Sequence, residues 1–287
     1  MTKIFATGVT GYLGGDAAYA ILQAHPEYEI SCLVRDKEKG ALVSAAHPSV
    51  RIVHGSLDDS DLLEEEAANA DVVCNFAHAT HEPAVQALAR GLLPGRIRSA
   101  VVSTGSAYGR GRGAVVPYRR TAVHELARAA LARGRAFVVG EGASAWTNVH
   151  VRDLSDLYLR LVEHAAAGGG GGGADGEGGN GLAVWGGPGE EGFYFAEGGE
   201  HVWRELARSV AAEAAAQGFV ARAEEPEAID PAQAAEIMPM GQFFWGCNAR
   251  VEGRRARRAL NWAPRHPSLR EEIKAIVATE AKELGLV

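Results

Sequence analysis

The chain has 287 residues, 47% of them hydrophobic and 23% charged, with a formal net charge of −7. That is enough for one large α/β domain with a sizeable core, and the negative balance argues against nucleic acid or an anionic membrane surface as the main partner. No apolar run approaches a membrane span, and the three cysteines lack the spacing of a disulfide framework or a metal site.

The N-terminal third alternates strand and helix patterns. "KIFATG" is a short apolar run closing on Gly8, and "GDAAYAILQAH" follows with helical spacing. The strand opens almost at the first residue, which leaves no room for a signal peptide and predicts a cytoplasmic protein. "YEISCLVRD" and "SVRIVHGSL" read as the second and third strands, and "DDSDLLEEEAANA" as a helix opened by aspartates and serine. "DVVCNFAHA" is a fourth strand, apolar without alternation, as a strand covered on both faces should be. This order predicts an α/β fold of Rossmann type, a doubly wound parallel sheet with right-handed crossovers.

The helix "HEPAVQALARGLL" leads to a fifth strand in "SAVVSTGSAYGRGRG", residues 99–113. "AVHELARAALARG" is helical, "AFVVGEG" and "WTNVHV" form a strand pair, and "LSDLYLRLVEHAA" is again a helix. Residues 168–181, with six consecutive glycines, are expected to be a flexible loop. "EGFYFAE" resumes strand, "HVWRELARSVAAEAAAQG" is an amphipathic helix, and the last segment is helical. "RVEGRRARR" reads as a solvated helix face. The expected division is a dinucleotide-binding domain at 1–164, with 114–148 contributing to a second lobe. A glycine-rich loop at 165–190 and a small α+β substrate lobe at 191–287 follow.

The strongest motif is "TGVTGYLGG", in which Gly8, Gly11 and Gly14 follow the first strand and open the first helix. Gly8 permits a tight turn, Gly11 lets the backbone approach a pyrophosphate, and the helix N-terminus favours its charge. This spacing resembles the Thr-Gly-x-x-Gly-x-x-Gly of short-chain dehydrogenase/reductases, and further segments are similar to their extended, NAD-dependent epimerase/dehydratase branch. Those segments are "SCLVRD", "HGSLDD", "NFAHA", "NVHVRDLSDLYLRLVE" and "NARVEGRRARRALNWAPRHPSL". The resemblance implies NAD or NADP as cofactor, a small carbonyl, alcohol or sugar-like substrate, and no metal. It places Thr10, Gly11, Tyr12 and Leu13 at the pyrophosphate, Leu57 on the adenine and Ala77 beside the nicotinamide. Arg35 falls where the ribose is read; arginine suits a 2′-phosphate, which leans the reading to NADP, although Asp36 follows directly. His150 and Asp153 are read as a packing and hydrogen-bonding signature.

The same family moves a hydride with a Tyr-x-x-x-Lys pair and a Ser or Thr at the end of the fifth strand. No tyrosine here has a lysine four places on; the nearest match, Tyr108 to Arg112, is interrupted by glycines. Between Ala77 and Tyr108 there is room for one helix and one strand. The Tyr-Gly turn resembles the strand that follows the catalytic helix rather than the catalytic strand itself. The expectation is therefore that a strand and the Tyr-Lys helix are missing, leaving Thr104 and Tyr108, with Ser103 and Ser106, as weak catalytic candidates. Removing such a unit should either draw the remaining strand into the vacant slot or leave the sheet poorly formed. The alternatives to an oxidoreductase are a non-catalytic regulator of NmrA type and an inactive truncated product.

Overall fold

The computed structural model describes residues 1–78, 80–92, 98–168, 177–178, 182–185 and 192–287. Most of the loop expected at 165–190 lies outside the described residues. The first half runs β1 (Lys3–Thr7), α1 (Tyr12–Ala24), β2 (Glu29–Val34), α2 (Lys37–Ala46), β3 (Arg51–His54), α3 (Ser60–Ala68), β4 (Val72–Asn75) and α4 (Glu82–Gly91). Then come β5 (Val101–Thr104), β6 (Ser106–Tyr108), α5 (Ala122–Arg133), β7 (Phe137–Val139), β8 (Ala145–His150) and α6 (Val151–Ala166). Two short strands, β9 (Glu177–Gly178) and β10 (Leu182–Ala183), precede β11 (Phe193–Ala196), β12 (Gly199–Val202) and α7 (Trp203–Ala216). The chain closes with β13 (Glu227–Ile229), α8 (Pro231–Ile237), α9 (Gly241–Phe244), α10 (Arg254–Leu260) and α11 (Leu269–Glu283).

The N-terminal strands form a parallel sheet in the order β3-β2-β1-β4, with Phe5 opposite Ser31 on one side and Val73 on the other. α1 and α6 cover one face, where Ile4, Ile30 and Cys32 pack with Ile21, Leu22 and Val162. α3 and α4 cover the other, where Phe5, Leu33 and Val53 meet Leu63, Ala67, Ala84 and Leu88. Local chemistry sets the helix starts: the Asp36 carboxylate accepts from the Glu38 and Lys39 amides, and the His150 ring accepts from the Arg152 amide.

Among the described residues, no strand pairs with the other edge of β4. β5 pairs in parallel with β11, so Phe193 lies opposite Val101 and Ala196 opposite Thr104. Gly105 then turns the chain into β6, which joins β8 and β12 in a separate sheet. β5 has not joined the free edge of β4. β11 lies inside the 191–287 segment yet pairs with a strand of the 1–164 segment. The largest core belongs to the lobe, where α5, α7 and α11 pack round Phe137, Trp203 and Trp245.

Candidate functional site

The turn between β1 and α1 is closed by contacts that only glycine allows. Gly8 has φ of +76°, and a Cβ there would stand 2.6 Å from the backbone of Phe76 and Ala77. A Cβ on Gly14 would stand 2.4 Å from the Gly8 carbonyl and 2.7 Å from the Phe76 side chain. The end of β4 is thus pressed against the glycine turn. Gly11 caps α1 without a side chain, and no acidic residue occupies the first turn. The amides of Tyr12 and Leu13 lie in that first turn, where α1 offers them no acceptor. The site accordingly fits an anionic diphosphate, by backbone geometry and helix polarity together.

Asn75 connects the strand ends beside this turn. Its Oδ1 accepts from the Thr7 hydroxyl at 2.6 Å and from the Ala77 amide at 3.3 Å, fixing Ala77 as an exposed residue at the end of β4. Sequence reasoning passed over Asn75; the one signal was a polar residue closing an apolar strand. Arg35 is exposed at the end of β2, while one oxygen of Asp36 is committed to the α2 amides. Leu57 is half-buried against the Phe5–Leu63 core. Thr10, Gly11 and Leu13 are half-buried at the turn, and Tyr12 is buried with its hydroxyl donating to the Gly109 carbonyl at 2.6 Å.

The loop after β6 is bound to α1 and its glycine turn. Arg112 donates to the Asp16 carboxylate from its amide at 2.6 Å and from its guanidinium at 3.0 and 2.8 Å, and it lies over the Tyr19 ring. Gly15 and Gly113 touch so closely that a Cβ on either would fall 3.0–3.2 Å from the other's loop. Burial pushes the Asp16 pKa up, but the Arg112 hydrogen bonds and charge, with help from Ser155, leave it below the usual carboxylate range.

The hydroxyl candidates sit in different settings. Thr104 is half-buried and donates to the Gly105 carbonyl at 3.3 Å; Ser103 is exposed and Ser106 buried. Tyr108 is buried, donates to the Pro267 carbonyl at 3.0 Å, and meets the His150 ring edge-on. Burial first, and the Asp153, Glu272 and Glu271 charges after it, push its pKa up, the reverse of what an acid/base tyrosine needs. No lysine occurs anywhere between Lys39 and Lys274.

Ligand atoms of His150, Asp153 and His266 lie within 4.8 Å of one another. His150 Nδ1, His266 Nδ1 and both Asp153 oxygens are engaged inside the protein. His150 Nδ1 accepts from the Arg152 amide, and its Nε2 lies against Gly109, 2.2 Å from where a Cβ would stand. Asp153 accepts from the Arg265 and His266 amides and from the His266 ring at 2.8 Å. Burial, and next the neighbouring His266, hold the His150 pKa down at about 4. The trio clamps the start of α6 to the chain before α11.

Comparison with known proteins follows this geometry. Residues 1–89, the segment with the glycine turn, match the model of the NmrA-like family. Solved structures with the same fold include dTDP-glucose 4,6-dehydratase from Bacillus anthracis, at 14% identity and a TM-score of 0.63 over 98% of this chain and 97% of that one. UDP-glucose 4-epimerase from Thermotoga maritima is 13% identical with a TM-score of 0.63, over 99% of this chain and 100% of that one. The oxidase ucsJ of Acremonium sp is 48% identical, and the alignment takes in 99% of both chains. That alignment runs over 353 positions, more than this chain can fill, so the relative carries residues opposite gaps here. Matched from end to end at 48% identity, the chain belongs to one family with the oxidase ucsJ, and it shares the fold of the dehydratase and epimerase structures.

Proposed function

We propose that the chain binds a nicotinamide dinucleotide, NADP ahead of NAD, across the C-terminal ends of β1, β2 and β4, and that in its present form it binds without turnover. The observation that carries the binding is the glycine turn, where Gly8 and Gly14 close on each other and on Phe76. The first amides of α1, with Thr10, Gly11, Tyr12 and Leu13, would hold the diphosphate. Arg35 would meet a 2′-phosphate, Leu57 would cover the adenine, and Ala77 would line the nicotinamide side. When bound, the dinucleotide supplies or accepts hydride. The chain's own part is to seat it.

Proton transfer to or from a small carbonyl or alcohol needs a second group within hydrogen-bond reach. Thr104 and Tyr108 both spend their hydroxyls on backbone carbonyls, and no tyrosine–lysine pair stands in for them. The NmrA-like match of residues 1–89 favours a second reading along the same line, a dinucleotide-binding regulator. The names of the relatives, an oxidase, a dehydratase and an epimerase, favour an ancestor acting on a small alcohol or a sugar-like molecule. Three free cysteines, Cys32 and Cys74 with pKa values pushed up to about 12 by burial, fit a cytoplasmic setting. No described helix is long and apolar enough to cross a membrane.

The test is titration of the purified chain with NADPH and NADH, then assay against a panel of aldehydes. Binding without turnover supports the proposal. Failure to bind either nucleotide removes its first half, and robust turnover removes its second.

A further inference from the structure

By its own local chemistry, α1 begins poorly for a helix that must present its first amides to a diphosphate. Gly11 caps it without a side chain, no acidic residue stands in the first turn, and Gly14 and Gly15 occupy its third and fourth positions. Glycine is the poorest helix former after proline, because it loses the most backbone freedom on folding. Gly14 cannot be exchanged for a better one, since a Cβ there would run into the Gly8 carbonyl and Phe76. A first turn that frays does not hold its amides on one ligand.

Support for that turn comes from the loop between β6 and α5. In "GRGRG", residues 109–113, three buried glycines alternate with two arginines, Arg110 exposed and Arg112 half-buried. Gly109 takes a φ of +85° against the His150 ring, and its carbonyl accepts from the Tyr12 hydroxyl at 2.6 Å. Gly113 meets Gly15 so closely that a Cβ on Gly113 would stand 3.0 Å from the Gly15 backbone. Arg112 holds Asp16 through both its amide and its guanidinium. Tyr12, Gly15 and Asp16, in the first two turns of α1, thus each have a partner in this run. The loop is itself tied down. The Gly111 amide donates to the Pro117 carbonyl at 2.8 Å, and Arg152 Nε donates to the Arg110 carbonyl at 3.2 Å. Val116 then packs with Tyr12 and Val151, and Val115 with the β1–β2 core.

We infer that residues 109–117 form a strap that holds the start of α1 in place for the diphosphate, with Arg112 and Gly113 as its positioning residues. They act through α1. Close packing demands glycine in the turn, so the rigidity that the turn lacks locally is supplied by a loop 96 positions away. A helix start ordered before the ligand arrives spares binding the cost of ordering it. The inference rests on the dinucleotide reading and adds to it residues outside the glycine motif.

Two variants loosen the strap in different ways. Gly113→Ala sets a methyl group 3.0 Å from Gly15 without disturbing a charge. The double variant Asp16→Asn/Arg112→Gln removes the guanidinium fork and leaves no buried carboxylate stranded. Each is expected to bind NADPH about five- to tenfold more weakly than the unmodified chain. Each should also speed hydrogen exchange at the Gly15 amide, which donates to the Gly11 carbonyl at 2.9 Å, while the Ile21 and Leu22 amides later in α1 keep their protection. Adenosine 2′-monophosphate carries no diphosphate and should bind both variants within about twofold of the unmodified chain. Equal losses for the two ligands would mean general damage to the site and would overturn the inference. So would unchanged NADPH affinity in a variant whose Gly15 amide exchanges faster, an outcome that leaves the dinucleotide reading standing. An unmodified chain that binds no NADPH would instead remove that reading, and the strap's role with it.

Discussion

Arg112 grips Asp16 through three hydrogen bonds of 2.6, 3.0 and 2.8 Å, and the Asp16 side chain is fully buried in the second turn of α1. The pair joins the glycine turn to the loop that leaves β6, across 96 positions of sequence. Arg112→Ala would strand a buried carboxylate, a loss of about 3–5 kcal/mol for a broken buried pair. Asp16→Asn keeps the shape and should cost clearly less. Urea unfolding of the two variants checks the order; equal, small losses would show the pair to be incidental.

The same pair, with three histidines, sets the acid limb of stability. Asp16 is held below its usual range, so its contribution is intact above the unfolded value, about 3.9, and is lost as pH falls through the folded one. His124, His150 and His201 are held neutral by burial first, each at about 4. Their stabilisation is complete above the unfolded value of about 6.5 and declines as pH drops from there towards 4. The urea midpoint should therefore fall between pH 7 and pH 5, before any carboxylate titrates. A flat profile over that interval would count against the three buried neutral rings.

Gly14→Ala places a methyl group 2.4 Å from the Gly8 carbonyl and 2.7 Å from Phe76. The end of β4 must then move away from the turn. Affinity for NADPH should drop at least about tenfold, equivalent to about 1.4 kcal/mol, with far-ultraviolet circular dichroism retained. Isothermal titration calorimetry measures this, and wild-type affinity in the variant would remove the turn from the binding site.

Arg35 and Asp36 divide the work at the end of β2. Asp36 caps α2, and Arg35 stands exposed at the end of β2. Arg35→Ala should weaken NADPH by about tenfold and leave NADH within about twofold. Equal losses for both nucleotides would return Arg35 to general surface charge.

Tyr108→Phe removes a hydrogen bond to the Pro267 carbonyl and should cost about 1 kcal/mol of stability without altering nucleotide affinity. Zinc or a chelator should leave Tm unchanged, because His150 Nδ1 accepts from the Arg152 amide and the Asp153 carboxylate accepts from the His266 ring and two backbone amides. A zinc-dependent rise in Tm lost in His266→Ala would identify a metal centre instead.

The N-terminal half was legible because each of its signals is local. The Gly8–Gly11–Gly14 spacing and the continuous apolar strand at Val72–Cys74 each act within a few residues of themselves. The vacancy after β4 was also legible, as a shortage of chain between Ala77 and Tyr108. Its consequence was not: whether β5 would slide into the gap depends on β11, whose pairing partner lies some ninety positions earlier. Asp16 and Arg112 carried no sequence signal, since a buried aspartate in a helix and an arginine between glycines mean nothing until the fold places them together. Tyr108 could stand only as a weak catalytic candidate, because residue type is visible in a sequence and a carbonyl partner 159 positions away is not.

Fluorescence titration of the unmodified chain with NADPH, followed by an aldehyde assay on the same sample, tests the central claim most directly. The account predicts saturable binding of NADPH, tighter than NADH, with no consumption of the reduced nucleotide. Absence of binding, or steady turnover that disappears in Tyr108→Phe, would contradict it.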